Sequence, residues 1–229
     1  VSVSSCTEVN NFKKFINNLL DYIYKKRCYF CGSNKEYVKM CSKCYEQLVF
    51  NEYSVDRNIL GVKIYTAGVY EKNLQKMIRG LKYHHQKDLA YYQAKFMWEY
   101  FSQIIENEHL EKNFQVIPVP LYKTREKQRG YNHMQLVAEE FCKLNNFTPN
   151  YKLIERIKET KPQYKLSRKE RMNNLNRAFK VNTQELLNKP ILIIDDICTT
   201  GSTFESIIEE LNTNGINNIT CLATSSPLL

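Results

Sequence analysis

The chain has 229 residues, with 33 Lys and Arg against 24 Asp and Glu, a formal net charge of +9, and 43% hydrophobic residues. That balance excludes a disordered, collagen-like or disulfide-dense small scaffold, and the length suits one good-sized domain with room for a small appended module. No apolar run approaches the roughly 18–20 residues that span a bilayer, and the first residues lack the charged-then-apolar order of a secretory signal, so a cytoplasmic protein is expected.

Phe12, Phe15, Ile16, Leu19, Leu20 and Ile23 recur at helical spacing and predict an amphipathic N-terminal helix. Packing on the protein core is the expected use of its apolar face. The flanking Lys25, Lys26 and Arg27 also suit peripheral association with a membrane surface.

Two knuckles follow, Cys28-x-x-Cys31 and Cys41-x-x-Cys44, separated by nine residues. Four thiolates at this spacing suit tetrahedral Zn²⁺ and leave no open position for a reacting water, so a structural zinc is expected. Two disulfides are the alternative, which a reducing compartment disfavours. The helix and the zinc module together are assigned to residues 1–58, ending in a polar link from Asn51 to Asn58. Residues 59–229 form the second domain.

In that domain, strand character over Val62–Tyr70 leads to a helix over Tyr70–Leu81, then an aromatic-rich helix over Leu89–Ile105. His84-His85 between them reads as a polar loop. Gln115–Pro120 is a short strand and Tyr131–Leu144 a helix, while Asn218–Leu222 is a further strand. Strand alternating with helix implies an α/β fold with a parallel sheet covered on both faces, and ligands of such sheets sit beyond the carboxyl ends of the strands. Cys142 and Cys221 read as small core residues.

The positive excess is confined to two stretches. Residues 121–133 hold four Lys/Arg and one Glu, and residues 152–180 hold ten Lys/Arg and three Glu. An anion is expected there, pyrophosphate, nucleic acid or both; a solvated basic face is the plain alternative for either stretch alone. In the first stretch Arg125 and Arg129 are placed to clamp phosphoryl oxygens bidentately and Lys123 to act as a point charge.

Pro190–Ile194 is an apolar strand, followed by Asp195-Asp196 and then Thr199-Thr200-Gly201-Ser202-Thr203, which opens a helix with an apolar face at Phe204, Ile207, Ile208 and Leu211. A helix start offers free N–H groups and a positive dipole end to a phosphate, the hydroxyls add donors, and the carboxylates can accept from ribose hydroxyls. The loop lacks the spacing and lysine of a Walker A motif. The plain alternative is a strand–turn–helix with a surface acid pair. Cys198 lies beside the helix start, which can lower a thiol pKa, but no covalent role is expected of it.

Four apolar residues, two acids and a Thr-Thr-Gly-x-Thr loop resemble the phosphoribosyl-pyrophosphate (PRPP) signature of type I phosphoribosyltransferases. The chain as a whole resembles the ComF family of competence proteins. Arg129-Gly130-Tyr131-Asn132 matches that family's loop. Arg156, Thr160-Lys161-Pro162-Gln163, Leu166-Ser167-Arg168, Glu170-Arg171, Asn174 and Ala178-Phe179 match its hood, and Tyr70-Glu71 and Leu81-Lys82-Tyr83 a third segment.

The resemblance implies a phosphoribosyltransferase-like domain that binds PRPP with Mg²⁺. Asp195 and Asp196 would hold the ribose hydroxyls directly or through that ion, and the loop Thr199–Thr203 the 5′-phosphate. Lys123, Arg125 and Arg129 would hold pyrophosphate, with Arg168 or Arg171 arriving from the hood. It also implies a role in natural transformation, handling incoming single-stranded DNA alongside DNA-uptake proteins, with Tyr122, Tyr131, Tyr151 and Tyr164 available to stack bases. The alternative is an active phosphoribosyltransferase on an unknown acceptor. A redox or purely scaffolding protein would use neither the basic stretches nor the phosphate signature.

Overall fold

The apolar runs of the sequence become the strands of one sheet. In the computed structural model, which describes residues 27–159 and 178–227, the chain divides into two units, Val1–Gln47 and Leu48–Leu229. The expected N-terminal helix, Cys6, Arg168, Arg171, Tyr164 and most of the basic hood lie outside the described residues.

In the first unit, the two knuckles face each other. Gly32 N–H donates to the Cys28 carbonyl at 2.8 Å and closes the first turn. The second knuckle starts the short helix α1, Ser42–Tyr45, and Glu36 accepts from the Ser42 amide and hydroxyl at 3.0 and 2.8 Å.

In the second unit a six-stranded sheet has the order β1-β2-β8-β7-β3-β4. Its strands are β1 (Arg57–Ile59), β2 (Val62–Val69), β3 (Gln115–Pro118), β4 (Thr148–Pro149), β7 (Ile191–Ile197) and β8 (Ile219–Ser226). Five run parallel, and β1 pairs antiparallel with β2 at one edge. A separate antiparallel pair joins β5 (Ile154–Arg156) to β6 (Phe179–Val181). Residues 48–58, which composition placed with the cysteine module, run with this unit. Phe50 bridges Gly68, and Asn51 N–H donates to the Ala67 carbonyl at 2.9 Å.

The helices are α2 (Lys72–Tyr83), α3 (Leu89–Asn107), α4 (Lys123–Arg129), α5 (His133–Asn145) and α6 (Ser202–Thr213). Side chains alternate across a strand. Ile191 and Ile193 of β7, with Cys221 and Ala223 of β8, meet Phe204, Ile207, Ile208 and Leu211 of α6 in one core. The expected apolar face of α6 is therefore the face that packs. Helices α3 and α5 pack together and against β8, β3 and β7, with Phe96, Met97, Phe101 and Phe141 fully buried. The result is the parallel sheet flanked by helices that strand–helix alternation predicted.

Three local differences bear on the site. Strand β7 runs on through Asp195 and Asp196 to Ile197, because β8 continues alongside it and pairs Asp195 with Ala223 and Ile197 with Ser225. The basic loop after β3 is helical over Lys123–Arg129. The polar link before β2 ends in a strand, β1.

Candidate functional site

The motif Arg129-Gly130-Tyr131-Asn132 resolves into four separate jobs. Gly130 ends α4 with φ 80°, in the left-handed region where glycine has no steric penalty. Asn132 caps α5, its side chain accepting from Met134 N–H at 3.0 Å. The Tyr131 hydroxyl donates to the Leu81 carbonyl at 2.5 Å, which ties this corner to the end of α2. Arg129 donates to Nδ1 of His133 at 2.6 Å and its guanidinium lies 5.7 Å over the Tyr83 ring.

These contacts deliver two more groups to the strand ends. Because Arg129 can only donate, Nδ1 of His133 accepts, and the imidazole proton sits on Nε2, which donates to Asp196 Oδ2. Lys82 Nζ meets the same oxygen at 2.7 Å. His133 and Asp196 are buried, and the Lys82 side chain is 17% exposed. Burial works against charge on Asp196, but Lys82 and His133 outweigh it and hold the carboxyl well below the usual range. Burial pushes His133 below its ordinary value, with Lys82 and Arg129 adding to the effect against Asp196. A neutral imidazole fits the hydrogen-bond pattern.

Consecutive strand residues point to opposite faces, so the two acids do not act as one pair. Asp196 faces α2 and α5. Asp195 shares its side with Ile191 and Ile193, where its charge is felt by Arg156 of β5. Burial and the neighbouring Asp196 push Asp195 up to about 7, against Lys82, the Asp196 N–H that donates to its Oδ1 at 2.9 Å, and Arg156. Arg156 is itself buried, its guanidinium 5.4 Å over the Phe179 ring. Burial and then Arg125 bring it down to about 10. Basic groups thus flank both sides of the end of β7.

The Thr199–Thr203 loop joins β7 to the twelve-residue α6. Gly201 precedes the helix with φ 82°, and a Cβ there would run into Ile59 Cδ1 of β1. The Thr200 hydroxyl donates to Ser202 Oγ at 3.0 Å. Arg57, also from β1, donates to the Thr199 carbonyl at 2.9 Å and to Asp56 at 2.8 Å. The edge hairpin therefore covers this loop with a guanidinium. Cys198 is buried, and burial pushes its thiol up to about 12. Arg57 and the Gly201 N–H at the helix start act to lower it, and burial outweighs them.

Of the expected anion ligands, Arg129 reaches the strand ends through His133, and Arg125 lies close enough to Arg129 and Arg156 to lower the pKa of both. Lys123 is largely exposed and pairs with Glu155 at 3.1 Å. Lys82 was legible only as part of a matched segment, while His133 and Arg57 carried no sequence signal.

In the cysteine unit, the ligand atoms of Cys28, Cys31, Cys41 and Cys44 all lie within 4.8 Å of one another. All four are free, which removes the disulfide alternative. A tetrahedron with zinc–sulfur legs of about 2.3 Å has edges of about 3.8 Å, and Cys31 and Cys41 Sγ are 3.7 Å apart. Burial opposes a thiolate at Cys28, but backbone N–H donors from Cys41, Cys31 and Phe30 outweigh it and bring the thiol down to about 6. This cluster can hold a zinc ion.

Over 195 residues the chain is 29% identical to competence protein F of Haemophilus influenzae, covering 84% of this chain and 81% of that protein. It is also 31% identical over 103 residues to competence protein ComFC of Bacillus subtilis, 45% of this chain and 40% of that protein. Over most of its length the chain is similar to ComF-type competence proteins. DNA utilization protein YhgH of Escherichia coli K12 is 25% identical to this chain over 153 residues, 67% of each. No family model matches. Among the described residues, no helix is long and apolar enough to cross a membrane.

Proposed function

We propose that this protein binds PRPP at the carboxyl end of its sheet and serves natural transformation by handling incoming single-stranded DNA. The observation that carries the PRPP reading is convergence. The Thr199–Thr203 loop at the start of α6, the β7 acids and Arg129 meet at the carboxyl end of the main sheet, with Arg156 of the β5–β6 pair close enough to feel Asp195 and Arg125 close enough to depress the pKa of Arg156. A 5′-phosphate suits the N–H groups and hydroxyls of the loop. Pyrophosphate suits the guanidinium groups of Arg125 and Arg129, with Arg168 and Arg171 as further donors. Ribose hydroxyls suit Asp195, the acid not already engaged by Lys82.

The Mg²⁺ expected with PRPP does not fit the acid pair as a bound ion. Asp196 Oδ2 already accepts from Lys82 and His133, and the two carboxyls face opposite sides of β7. The structural zinc is assigned to Cys28, Cys31, Cys41 and Cys44.

The DNA role rests on relatives named for competence and DNA utilization. Exposed Tyr83, with Arg79 and Arg129 at 5.9 and 5.7 Å from its ring, is a surface on which a base can stack. Catalytic turnover of PRPP on an acceptor is the second reading. The same electrostatics that hold pyrophosphate would stabilise it as a leaving group.

Calorimetry of the full chain with PRPP tests the first reading. Binding that weakens at least tenfold in Gly201→Ala and Arg129→Ala is expected, and no heat with the wild type overturns it. Release of pyrophosphate on incubation with candidate acceptors would favour turnover. Salt-dependent binding of single-stranded DNA tests the second half, and a flat salt response would sink it.

A further inference from the structure

The resemblance implies a Mg²⁺ beside Asp195 and Asp196, yet in this chain a lysine already stands against the second of these acids. Lys82 ends its path at Asp196 Oδ2, 2.7 Å away, with His133 Nε2 on the same oxygen. A Mg²⁺ ligated by that oxygen at about 2.1 Å would be forced close to the ammonium, and like charges repel strongly where water is largely excluded. Nor can the ion move across to both acids, because Asp195 and Asp196 project from opposite faces of β7. The groups around the pair add to the conflict. Lys82 and Arg129 lie on the Asp196 side, and Arg156 with Arg125 behind it on the Asp195 side.

Lys82 is also not placed by chance. It is in the last turn of α2, next to Leu81, whose carbonyl accepts from Tyr131. Tyr83, on its other side, lies under Arg129. The residues on both sides of Lys82 are thus fastened to the α4–α5 corner, which also supplies His133.

We propose that Lys82 is a built-in counter-ion that occupies the cation position beside Asp196, so that the phosphosugar site works without a divalent cation bound by the protein. Lys82 acts through Asp196 and is a positioning residue. The manganese measurement below stands alone; the calorimetric one rests on the PRPP reading above.

The first measurement is electron paramagnetic resonance of Mn²⁺ titrated into the zinc-loaded full chain, since soft cysteine sulfurs do not select manganese. Wild type and Lys82→Arg bind no Mn²⁺. Lys82→Met and Lys82→Gln gain one site, which is lost again when Asp196→Ala is added. Stoichiometric Mn²⁺ on wild type that Asp196→Ala removes would overturn the proposal. So would Lys82 variants that keep the wild-type circular dichroism spectrum and gain no site. Two Lys82 replacements guard against one that fails to fold.

The second measurement is calorimetry of PRPP in EDTA and in excess Mg²⁺. Wild-type affinities within threefold of each other are expected, with Lys82→Met needing Mg²⁺ to bind. Wild-type binding seen only with Mg²⁺ overturns the proposal. Binding in neither buffer sinks the PRPP reading instead, and the manganese result then decides the role of Lys82 by itself.

Discussion

The Tyr131 hydroxyl reaches across fifty residues of sequence to the Leu81 carbonyl, at 2.5 Å. This bond joins the α4–α5 corner to the last turn of α2, and so joins the element bearing Arg129 and His133 to the one bearing Lys82. Tyr131→Phe removes the donor and leaves a carbonyl with one partner fewer. A loss of about 1 kcal/mol in urea unfolding is expected. PRPP affinity should fall as well, because Lys82 and Arg129 lose their shared anchor. Unchanged stability would mean that this bond does not hold the corner.

Asp196 and Lys82 should be unequal when removed one at a time. Asp196→Asn leaves Lys82 largely buried without its counter-charge, a change that costs about 3–5 kcal/mol. Adding Lys82→Met to Asp196→Asn should restore part of that loss, since both charges are then gone. A double-mutant cycle measured by chemical denaturation reads the coupling. Additive losses would show that the pair is not coupled.

Asp195 should make the protein less stable at neutral pH than in mild acid. Its folded pKa is raised to about 7, so between its unfolded value and 7 the folded state holds the proton more tightly than the unfolded chain. Stability then falls as pH rises through that window. Each unit of displacement is worth about 1.4 kcal/mol. Asp195→Asn should therefore raise the melting temperature by several degrees at pH 8 and by much less at pH 4. An equal shift at both values would remove the titration argument. Asp196 has the opposite sign: its depressed pKa contributes stability that is lost only under strong acid.

Gly201→Ala should damage the Thr199–Thr203 loop specifically. The residue has φ 82°, and its Cβ would collide with Ile59 of the edge strand. A cost of about 2 kcal/mol is expected, together with loss of the PRPP heat. Gly130→Ala, also at positive φ but with open space around it, should cost about 1 kcal/mol from backbone strain alone. Comparing the two melting curves separates collision from strain.

The cysteine unit should carry one equivalent of zinc by elemental analysis. Cys41→Ser should lower the metal content and loosen this unit, and chelator should do the same to the wild type. Reductant alone should have no effect, because the four cysteines are free thiols.

Sequence periodicity found the packed elements well where one face was apolar. Phe204, Ile207, Ile208 and Leu211 specified both α6 and the side it buries. It ended β7 too early because Asp195 and Asp196 are acids, and local reading assigns acids to a strand's exit. The neighbouring β8, not local propensity, carries the ladder to Ile197. Lys123–Arg129 has no apolar spacing, and none of its residues is buried, so its helix left no periodic trace. Arg57–Ile59 was too short to stand out.

The cysteine spacing by itself pointed to the four-sulfur cluster, because two short turns bring four sulfurs together with few other constraints. The Asp-Asp and Thr-Thr-Gly-Ser-Thr run likewise determined that a strand would hand over to a helix start at the carboxyl end of a sheet. The partners of those acids were decided only by tertiary structure. Lys82, Arg129, His133 and Asp196 lie in three separate stretches of chain, and nothing local links them. Their meeting depends on how α2 and α5 stack on one face of β7. Strand alternation puts Asp195 on the other face, and so turns a pair of adjacent acids in sequence into two carboxyls with different partners.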